Sequence, residues 1–305
     1  MARTYRYKPY RSYTRRTYTR RKQKGGKILG KGTYGFVIDP AIPCEGVDIS
    51  GKVSKVFTTY DASNEDSISY FQKRQRKLKD IIKILSVIDP TNEMFIYPSY
   101  CERFGKLTAS QIANGVTEDN KIFSYMLPRG PNKSISDITR SLRFLLLALK
   151  DNKTLVDKVY ETMKPLAVKV AGILDVLHKA GIRHGDLYSG ANILLAVSDD
   201  LEKNINALNS YISKPIHKID IEELKKKLTN INLNEARPYI IDWDTAYMDT
   251  PTVDKEAVGG AGASANNSNS NSNSNNTAKG ELKSILNAIF IIDGLAERFI
   301  KENKR

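Results

Sequence analysis

Hydrophobic positions change their spacing about halfway along the chain. In the first part, short runs of β-favouring residues predict strands at residues 36–38, 53–57 and 123–127. Between residues 155 and 177, apolar side chains recur every three or four positions, which predicts a long buried helix that ends at Gly181. The pattern therefore predicts strands first and helices later.

Three more helices are predicted from the same spacing. One runs from about residue 63 to 87. A second, at 220–229, lies in a charged insertion at about 197–236 that we interpret as a helical excursion on the surface. After residue 279 the chain returns to the core for a last helix, whose apolar positions are Ile285, Leu286, Ile289, Phe290, Leu295 and Phe299.

Charge separates a basic N-terminal tail from the rest of the chain. The net charge is +14, yet residues 1–27 hold eleven Lys or Arg and no acid, so the remaining residues carry only +3. Tyrosines alternate with the arginines and no aliphatic face is present, which predicts a tail that is disordered alone. Arginine can neutralise phosphates and tyrosine can stack on bases, so nucleic acid or another polyanion is a candidate partner. A merely solvated tail and a mitochondrial transit peptide are the alternatives.

A second unusual segment lies near the C-terminus. Residues 259–279 form a Gly/Ala and then Asn/Ser tract without a large apolar side chain. Such a segment cannot pack into a core, and we expect a flexible insert.

The cysteines and the apolar runs bear on the cellular compartment. Cys44 and Cys101 are too few and too isolated for a disulfide scaffold or a thiolate zinc cluster, which favours a reducing compartment. No apolar run approaches the roughly 18 residues of a membrane span, and the basic N-terminus lacks the apolar stretch of a secretory signal. We expect neither membrane insertion nor secretion.

A glycine motif opens the folded part of the chain. Gly30, Gly32 and Gly35 form G-x-G-x-x-G, with Val37 two residues later. A strand, a tight glycine turn and a returning strand let backbone N–H groups approach phosphate oxygens. The same spacing also occurs in dinucleotide-binding folds, but these need a helix directly after the glycines, whereas residues 36–38 favour a strand.

A lysine in the predicted strand 53–57 is the next candidate. Lys55 lies 20 residues beyond Gly35, and Lys52, at the edge of the strand, is the competing choice. Glu65, near the start of the following helix, is a candidate partner for Lys55. Its alternative role is to stabilise the helix dipole.

Two acids follow predicted core elements in the second half. His184, Asp186 and Asn192 come directly after the long helix, and Asp242 ends an apolar strand fifty residues beyond Asn192. We interpret His184 as a packed, hydrogen-bonded loop anchor. Trp243, next to Asp242, is expected to be core packing.

In this order and spacing, the motifs resemble the protein-kinase-like phosphotransferase superfamily over about residues 27–245. The H-G-D and I-D-W-D segments are similar to the aminoglycoside and choline kinase branch. The opening G-K-I-L-G-K-G-T-Y-G-F-V-I-D-P is more similar to the divergent serine/threonine kinases of large double-stranded DNA viruses, which we favour. The resemblance implies an α+β, two-lobed kinase-like fold, with a small β-rich N-lobe at 28–127 and a mainly helical, truncated C-lobe at 128–305.

The resemblance also implies a role for each motif in phosphoryl transfer from ATP with Mg²⁺. The glycine loop covers the nucleotide, Lys55 holds its α- and β-phosphates, and Asp186 orients the attacking hydroxyl. Asp242 binds Mg²⁺ and Asn192 a second metal. The implied nucleotide-binding residues are Gly30, Lys31, Gly32, Gly35, Val37, Lys55 and Glu65.

Several positions depart from the family pattern. Asp186 and Asn192 are six residues apart where the family has five, which puts the second metal in doubt. Gly185 replaces an arginine that pairs with a phosphorylated activation loop, so control by that switch is not expected. Tyr188 replaces the lysine typical of serine/threonine kinases, and Asp244 replaces the glycine of D-F-G.

The function expected from the resemblance is that of a viral-type, ATP-dependent serine/threonine protein kinase with a protein substrate, located in the host cytoplasm or the virion. One alternative is a small-molecule kinase of the aminoglycoside or choline kinase type. Another is a catalytically dead kinase fold that serves as a nucleic-acid-binding virion protein.

Overall fold

Strands of an antiparallel sheet occupy the N-terminal region of the computed structural model and helices dominate afterwards, so the fold is α+β. The predicted tail, apart from Lys27, and the Asn/Ser tract as far as residue 277 lie outside the described residues. The structure describes residues 27–131, 133–188, 190–248, 278–292 and 294–303.

Four antiparallel strands form the N-terminal sheet. They are β1 (Lys27–Lys31), β2 (Gly35–Asp39), β3 (Lys52–Phe57) and β4 (Ser124–Pro128). The sheet order is β1-β2-β3-β4, with β1 and β2 joined as the predicted hairpin. The strand register places Lys55 between Val37 and Tyr125 on the neighbouring strands.

Helix α1 (Glu65–Ile88) connects the sheet with the helical part of the molecule and confirms the helix predicted at 63–87. Asn64 caps it, since the Asn64 side chain accepts hydrogen bonds from two backbone N–H groups of the first turn. Phe71 packs against Phe57 of β3, with ring centroids 5.6 Å apart. The later buried residues Leu78, Ile81 and Leu85 join the main core.

The C-terminal part holds most of the helices and two small sheets. Strands β5, β7 and β8 form one antiparallel sheet in the order β5-β7-β8, and β6 pairs with β9. Their bounds are β5 (Lys133–Ser134), β6 (Ile182–Arg183), β7 (Ile193–Ala196), β8 (Arg237–Ile240) and β9 (Tyr247–Met248). The helices other than α1 are α2 (Ala109–Ala113), α3 (Glu118–Ile122), α4 (Ile135–Ala148), α5 (Lys153–Lys179), α6 (Asp199–Ile212), α7 (Ile221–Thr229), α8 (Ala278–Phe290) and α9 (Leu295–Glu302).

The predicted long helix is α5, which lies at the centre of the main core. Its apolar face is buried along its whole length, and Gly181, just after its end, has the left-handed φ of +71° that favours glycine. The loop that carries Asp186 begins at His184, three residues beyond Gly181. The helix therefore fixes where this loop starts.

The predicted surface excursion at 197–236 is wrong. Its helices α6 and α7 bury Leu201, Ile205, Leu224 and Leu228 in the main core. The charged side chains that suggested a surface segment lie on the outer faces of two amphipathic helices, and the inner faces pack on each other and on α4 and α5.

The C-terminal segment contains two helices where one was predicted. Gly294, with φ +93°, lies between α8 and α9 and breaks the helical path. Helix α8 starts at Ala278, so the last two residues of the predicted flexible tract are helical. The helix packs on α5, where the ring of Phe290 stacks on Tyr160 at 5.1 Å.

Cys44 and Cys101 form a disulfide bond, with their Cα atoms 5.7 Å apart. The two cysteines are therefore not isolated from each other, and they no longer favour a reducing compartment. Sequence reasoning missed the bond because 57 residues separate them. The two loops meet through a β-bridge from Cys44 to Phe104 and a hydrogen bond from the Gly105 N–H to the Pro43 carbonyl.

Within the described part of the chain, no helix combines the length and hydrophobicity that a membrane span requires.

Candidate active site

A cleft of about 420 Å³ lies between the N-terminal sheet and the helical part. Val37, Val53 and Leu127 line it from the sheet, while Leu194 and Ile241 line it from the other side. The segment at 128–131, which joins the two parts, forms one wall. Apolar walls with a few polar groups suit a flat ring system carrying a polar substituent.

The ammonium group of Lys55 lies at one end of this cleft. Its Nζ atom is 2.5 Å from Asp242 Oδ1 and 2.5 Å from Asp244 Oδ2. Burial works to lower the pKa of Lys55, but the neighbouring Asp244 and Asp242 carboxylates outweigh it and raise the pKa above its ordinary value. The side chain is therefore a fixed positive charge beside the cleft.

Glu65 does not provide the partner of Lys55, which corrects the predicted pairing. Glu65 is exposed in the first turn of α1, and the ion pairs that the structure describes for Lys55 are with Asp242 and Asp244. The side chain of α1 that reaches this region is Arg74, whose Nη2 atom is 3.8 Å from Asp244 Oδ2. Because Arg74 is basic, it cannot pair with Lys55. The carboxylate that pairs with Lys55 in place of Glu65 belongs to Asp244.

The two acids that contact Lys55 differ in their exposure. The Asp244 side chain is 7% exposed and also accepts a hydrogen bond from the Tyr125 hydroxyl at 3.0 Å. The Asp242 side chain is 33% exposed and lines the cleft. Although burial works to raise its pKa, the Lys55 charge lowers the pKa of Asp242 below the ordinary value. Asp244 thus anchors Lys55, whereas Asp242 is an ionised carboxylate open to a ligand.

Asp244 is a site residue that the sequence interpretation missed, since it was considered only as a replacement for glycine. A signal was available in the buried Trp243 between the two acids. When the middle residue of three points into the core, its two neighbours can both point the other way, and here both reach Lys55. Trp243 is 1% exposed and donates its indole N–H to the Ile96 carbonyl at 2.9 Å, which confirms it as core packing.

The backbone at Asp242 is left-handed, with φ 64° and ψ 63°. For a residue other than glycine this conformation costs on the order of 1 kcal/mol, although aspartate tolerates it better than most. It ends β8 in a sharp turn that directs the carboxylate toward Lys55. Such local strain is common where a side chain must be held in one position.

Asp186 and Asn192 lie together despite their six-residue spacing. The Asn192 Nδ2 group donates to the Asp186 carbonyl at 2.7 Å and to its carboxylate at 3.1 Å. Gly190, between the two residues, has a left-handed φ of +69°, which helps the loop to accommodate the extra residue. An added Cβ at this position would lie 3.1 Å from Ile135. The Asn192 carbonyl accepts the Ile241 N–H at 3.0 Å, so Asn192 sits beside the strand that ends at Asp242.

Partial burial raises the pKa of Asp186, although the Asn192 hydrogen bond acts in the opposite direction. A carboxylate with a raised pKa is a better proton acceptor than one at its ordinary value. The Asn192 bond also orients this carboxylate. Asp186 is therefore suited to accept a proton from a hydroxyl group.

His184 is a buried anchor of the same loop, as predicted. Its Nε2–H donates to the Ile241 carbonyl at 2.7 Å, and its Nδ1 atom accepts the Asp186 N–H at 3.3 Å. The contact at Nδ1 requires the neutral imidazole, because a protonated ring could not accept there. Burial lowers the pKa of His184, which favours the same state.

Stability is expected to decrease as the pH falls from 7.5 to 5.5, in part because of His184. The folded protein holds this histidine at a lowered pKa, so below the ordinary value of about 6.5 the unfolded chain binds more protons than the folded one. Each pH unit can then remove up to about 1.4 kcal/mol from the free energy of unfolding. Urea unfolding of His184→Gln should show a weaker pH dependence than wild type, whereas His217→Gln, which changes an exposed histidine, should match wild type. Equal pH dependence in all three proteins would exclude this role.

Glu281 is a second residue that sequence reasoning missed. It lies on α8, is 5% exposed, and accepts the Gly185 N–H and the His178 Nε2–H, each at 2.8 Å. Burial works to raise its pKa, but the hydrogen bonds from His178 and Gly185 outweigh it and lower the pKa. Glu281 thus holds the Asp186 loop against α8, the helix that follows the Asn/Ser tract in the sequence.

The glycine loop lies at the other edge of the cleft. Gly30 and Val37 line the cleft, whereas Lys31 is exposed at the end of β1. The turn closes through a hydrogen bond from the Gly32 N–H to the Gly35 carbonyl at 2.8 Å. A Cβ at Gly30 or Gly32 would meet no atom within 4 Å, so packing within the protein does not require glycine at either position.

Gly35→Ala is expected to destabilise the protein while Gly32→Ala does not. A Cβ added at Gly35 would lie 1.9 Å from the Val56 carbonyl oxygen, so β2 and β3 would have to move apart. Overpacking of this kind costs about 1–3 kcal/mol. Urea unfolding of both variants measures the difference. Equal free energies of unfolding would contradict the close approach of the two strands.

The residues near Lys55 fit a magnesium ion that arrives with a phosphate ligand. Among the described residues, no group of three or more His, Cys, Asp or Glu is placed to hold a metal by itself. Mg²⁺ is commonly held by one or two protein groups together with phosphate oxygens and water. Asp242 and the amide oxygen of Asn192 could supply that number.

Comparison of the chain with known protein families finds no family model that matches it, and no curated protein matches it either.

Proposed function

We propose that this protein is an ATP-dependent phosphotransferase with a two-lobed, protein-kinase-like fold, and that it transfers phosphate to serine or threonine hydroxyls of proteins. The observation that carries the proposal is the contact of Lys55 with Asp242, residues 187 positions apart, at 2.5 Å. Asp186 and Asn192 lie beside the same strand end. An apolar cleft adjoins this group of charges.

The nucleotide base fits the apolar part of the cleft, between Val37 on one side and Leu194 and Ile241 on the other. The phosphates then extend toward Lys55 and lie beneath the glycine loop, where Gly30 and Gly32 leave open space. Lys55 exchanges part of its contact with Asp242 for contact with the phosphates. Asp244, which keeps its own contacts, holds the lysine in place.

Asp186 accepts the proton of the attacking hydroxyl. Its raised pKa suits this step, and Asn192 keeps the carboxylate oriented. The Asp242 carboxylate and the Asn192 amide oxygen would hold the metal ion. The magnesium ion, when bound, neutralises charge that builds up on the transferred phosphoryl group.

A transfer assay tests the proposal. The full chain is incubated with γ-labelled ATP, Mg²⁺ and a panel of acidic and basic proteins, alongside an Asp186→Ala variant. We expect Mg²⁺-dependent labelling of serine or threonine in at least one protein, reduced by about 10² or more in the variant. Absence of transfer by the wild type, or equal transfer by both proteins, would contradict it.

A further inference from the structure

A second and larger cavity, of about 750 Å³, lies on the other side of Asp244 from the cleft. It is bounded by α1, by the tip of the glycine loop at Tyr34, and by residues 243–247. We call it the α1 pocket. Because Asp244 lines the α1 pocket and Asp242 lines the cleft, the two cavities adjoin at the group that holds Lys55.

Three cations of α1 face this pocket within a little more than one helical turn, namely Lys73, Arg74 and Lys77. Lys73 and Lys77 are exposed, and in the part of the chain that the structure describes neither has an ion-pair partner. The acid in the pocket, Asp244, already contacts Lys55 at 2.5 Å. The pocket therefore carries excess positive charge.

Arg74 is held in place at the edge of this pocket. Its Nη1 atom donates to the Tyr60 hydroxyl at 3.2 Å, and its Nη2 atom lies 3.8 Å from Asp244 Oδ2. A guanidinium group fixed in this way matches the oxygens of a phosphate group.

The remaining lining is aromatic. Tyr34 and Tyr70 are exposed, and Tyr60 and Tyr247 complete the set of tyrosines around the cations. Rings and hydroxyls of this kind enclose the stem of a phosphorylated side chain while the cations bind its head. Of the α1 cations, Lys73, Arg74 and Lys77 line this one concavity, whereas Arg76 and Lys79 line a separate one. A concave group of three cations suits one phosphate group.

We propose that the α1 pocket binds a phosphorylated side chain of the protein substrate, so that the enzyme prefers substrates that already carry a phosphate. This inference rests on the proposed function, because it takes the ligand of the pocket to be a protein substrate of the enzyme. Residues 244–247, which follow the metal-binding Asp242, form one wall of the pocket, so a peptide seated there lies next to the catalytic group. The phosphate group itself is recognised by Lys73, Arg74 and Lys77.

Direct binding tests the pocket without requiring catalysis. Fluorescence anisotropy compares a fluorescein-labelled peptide containing one phosphoserine with its unphosphorylated form, using the full chain without ATP. We expect the wild type to bind the phosphopeptide about tenfold more tightly or better, in line with two or more charge-assisted hydrogen bonds. The Lys73→Ala/Lys77→Ala double variant should lose that preference while its affinity for Mg-ATP stays unchanged.

The matched control is Lys83→Ala/Lys203→Ala. It removes the same charge at exposed lysines that pair with Asp80 and Asp200 away from the pocket, and it should bind like wild type. Phosphopeptide binding that is equal in the two double variants would overturn the proposal. The proposal would also be overturned if binding of a labelled single-stranded oligonucleotide depended on Lys73 and Lys77 while binding of the phosphopeptide did not.

The two proposals fail separately. If the wild type transfers phosphate from ATP but binds both peptides equally, the α1 pocket proposal is overturned and the proposed function stands. If phosphopeptide binding depends on Lys73 and Lys77 in a protein that transfers no phosphate, the phosphate site is supported and the proposed function fails.

Discussion

Lys55→Ala is expected to reduce the rate of phosphoryl transfer by about 10² or more. In the proposed mechanism the Lys55 ammonium contacts the phosphates, where negative charge grows as the phosphoryl group leaves, so its contribution increases in the transition state. ATP binding should weaken less than turnover. Steady-state kinetics, with a separate titration of ATP, measures the two effects.

The variant also removes the Lys55 ion pairs of Asp242 and Asp244, although Arg74 stays 3.8 Å from Asp244, so folding has to be checked by thermal unfolding. Lys52→Ala is the matched control, because Lys52 lies on the same strand and does not contact these acids. We expect Lys52→Ala to keep wild-type turnover. A folded Lys55→Ala protein with wild-type turnover, or a Lys52→Ala protein with the larger loss, would show that the wrong lysine has been assigned.

Asp186→Asn and Asp242→Asn are expected to damage different steps. In the proposed mechanism Asp186 accepts the proton of the acceptor hydroxyl, so its replacement should lower turnover by about 10² or more and leave the affinity for Mg-ATP nearly intact. Asp242 is the open carboxylate, so its replacement should make turnover depend on a much higher Mg²⁺ concentration. Titration of Mg²⁺ at fixed ATP distinguishes the two variants.

Both substitutions are nearly isosteric, which keeps packing effects small. Asp242→Asn leaves Lys55 paired with Asp244, and Asp186→Asn keeps a side-chain oxygen for the Asn192 amide. The same shift in Mg²⁺ dependence in both variants would contradict the division of roles between acceptor and metal.

The sequence predicted much of the fold because the signals were local. The spacing of apolar residues in α5 and α1 gave their positions, and the glycine motif gave the hairpin of β1 and β2. Residues 197–236 lie between β7 and β8, and the sequence did not predict that their helices are buried on one face. Charged residues indicate the solvent-exposed face of an amphipathic helix, but they do not indicate what its apolar face packs against.

The site was predicted less completely, because several of its contacts join distant segments. Glu281 reaches the Gly185 N–H from 96 residues away, and Asp244 replaces Glu65 as the partner of Lys55. The Cys44–Cys101 disulfide was missed for the same reason. Asp186, Asn192 and Asp242 could be selected from the sequence because each lies next to a recognisable element, and their roles stay predictions.

The most direct measurement is a crystal structure of the protein with Mg²⁺ and a non-hydrolysable ATP analogue. Our account predicts the base between Val37 and Leu194, the Lys55 Nζ atom within hydrogen-bond distance of the α- or β-phosphate, and a metal ion on Asp242. An analogue bound outside this cleft, or one bound inside it while Asp242 contacts only Lys55 and no metal, would contradict the assignment of this cleft as a site of phosphoryl transfer.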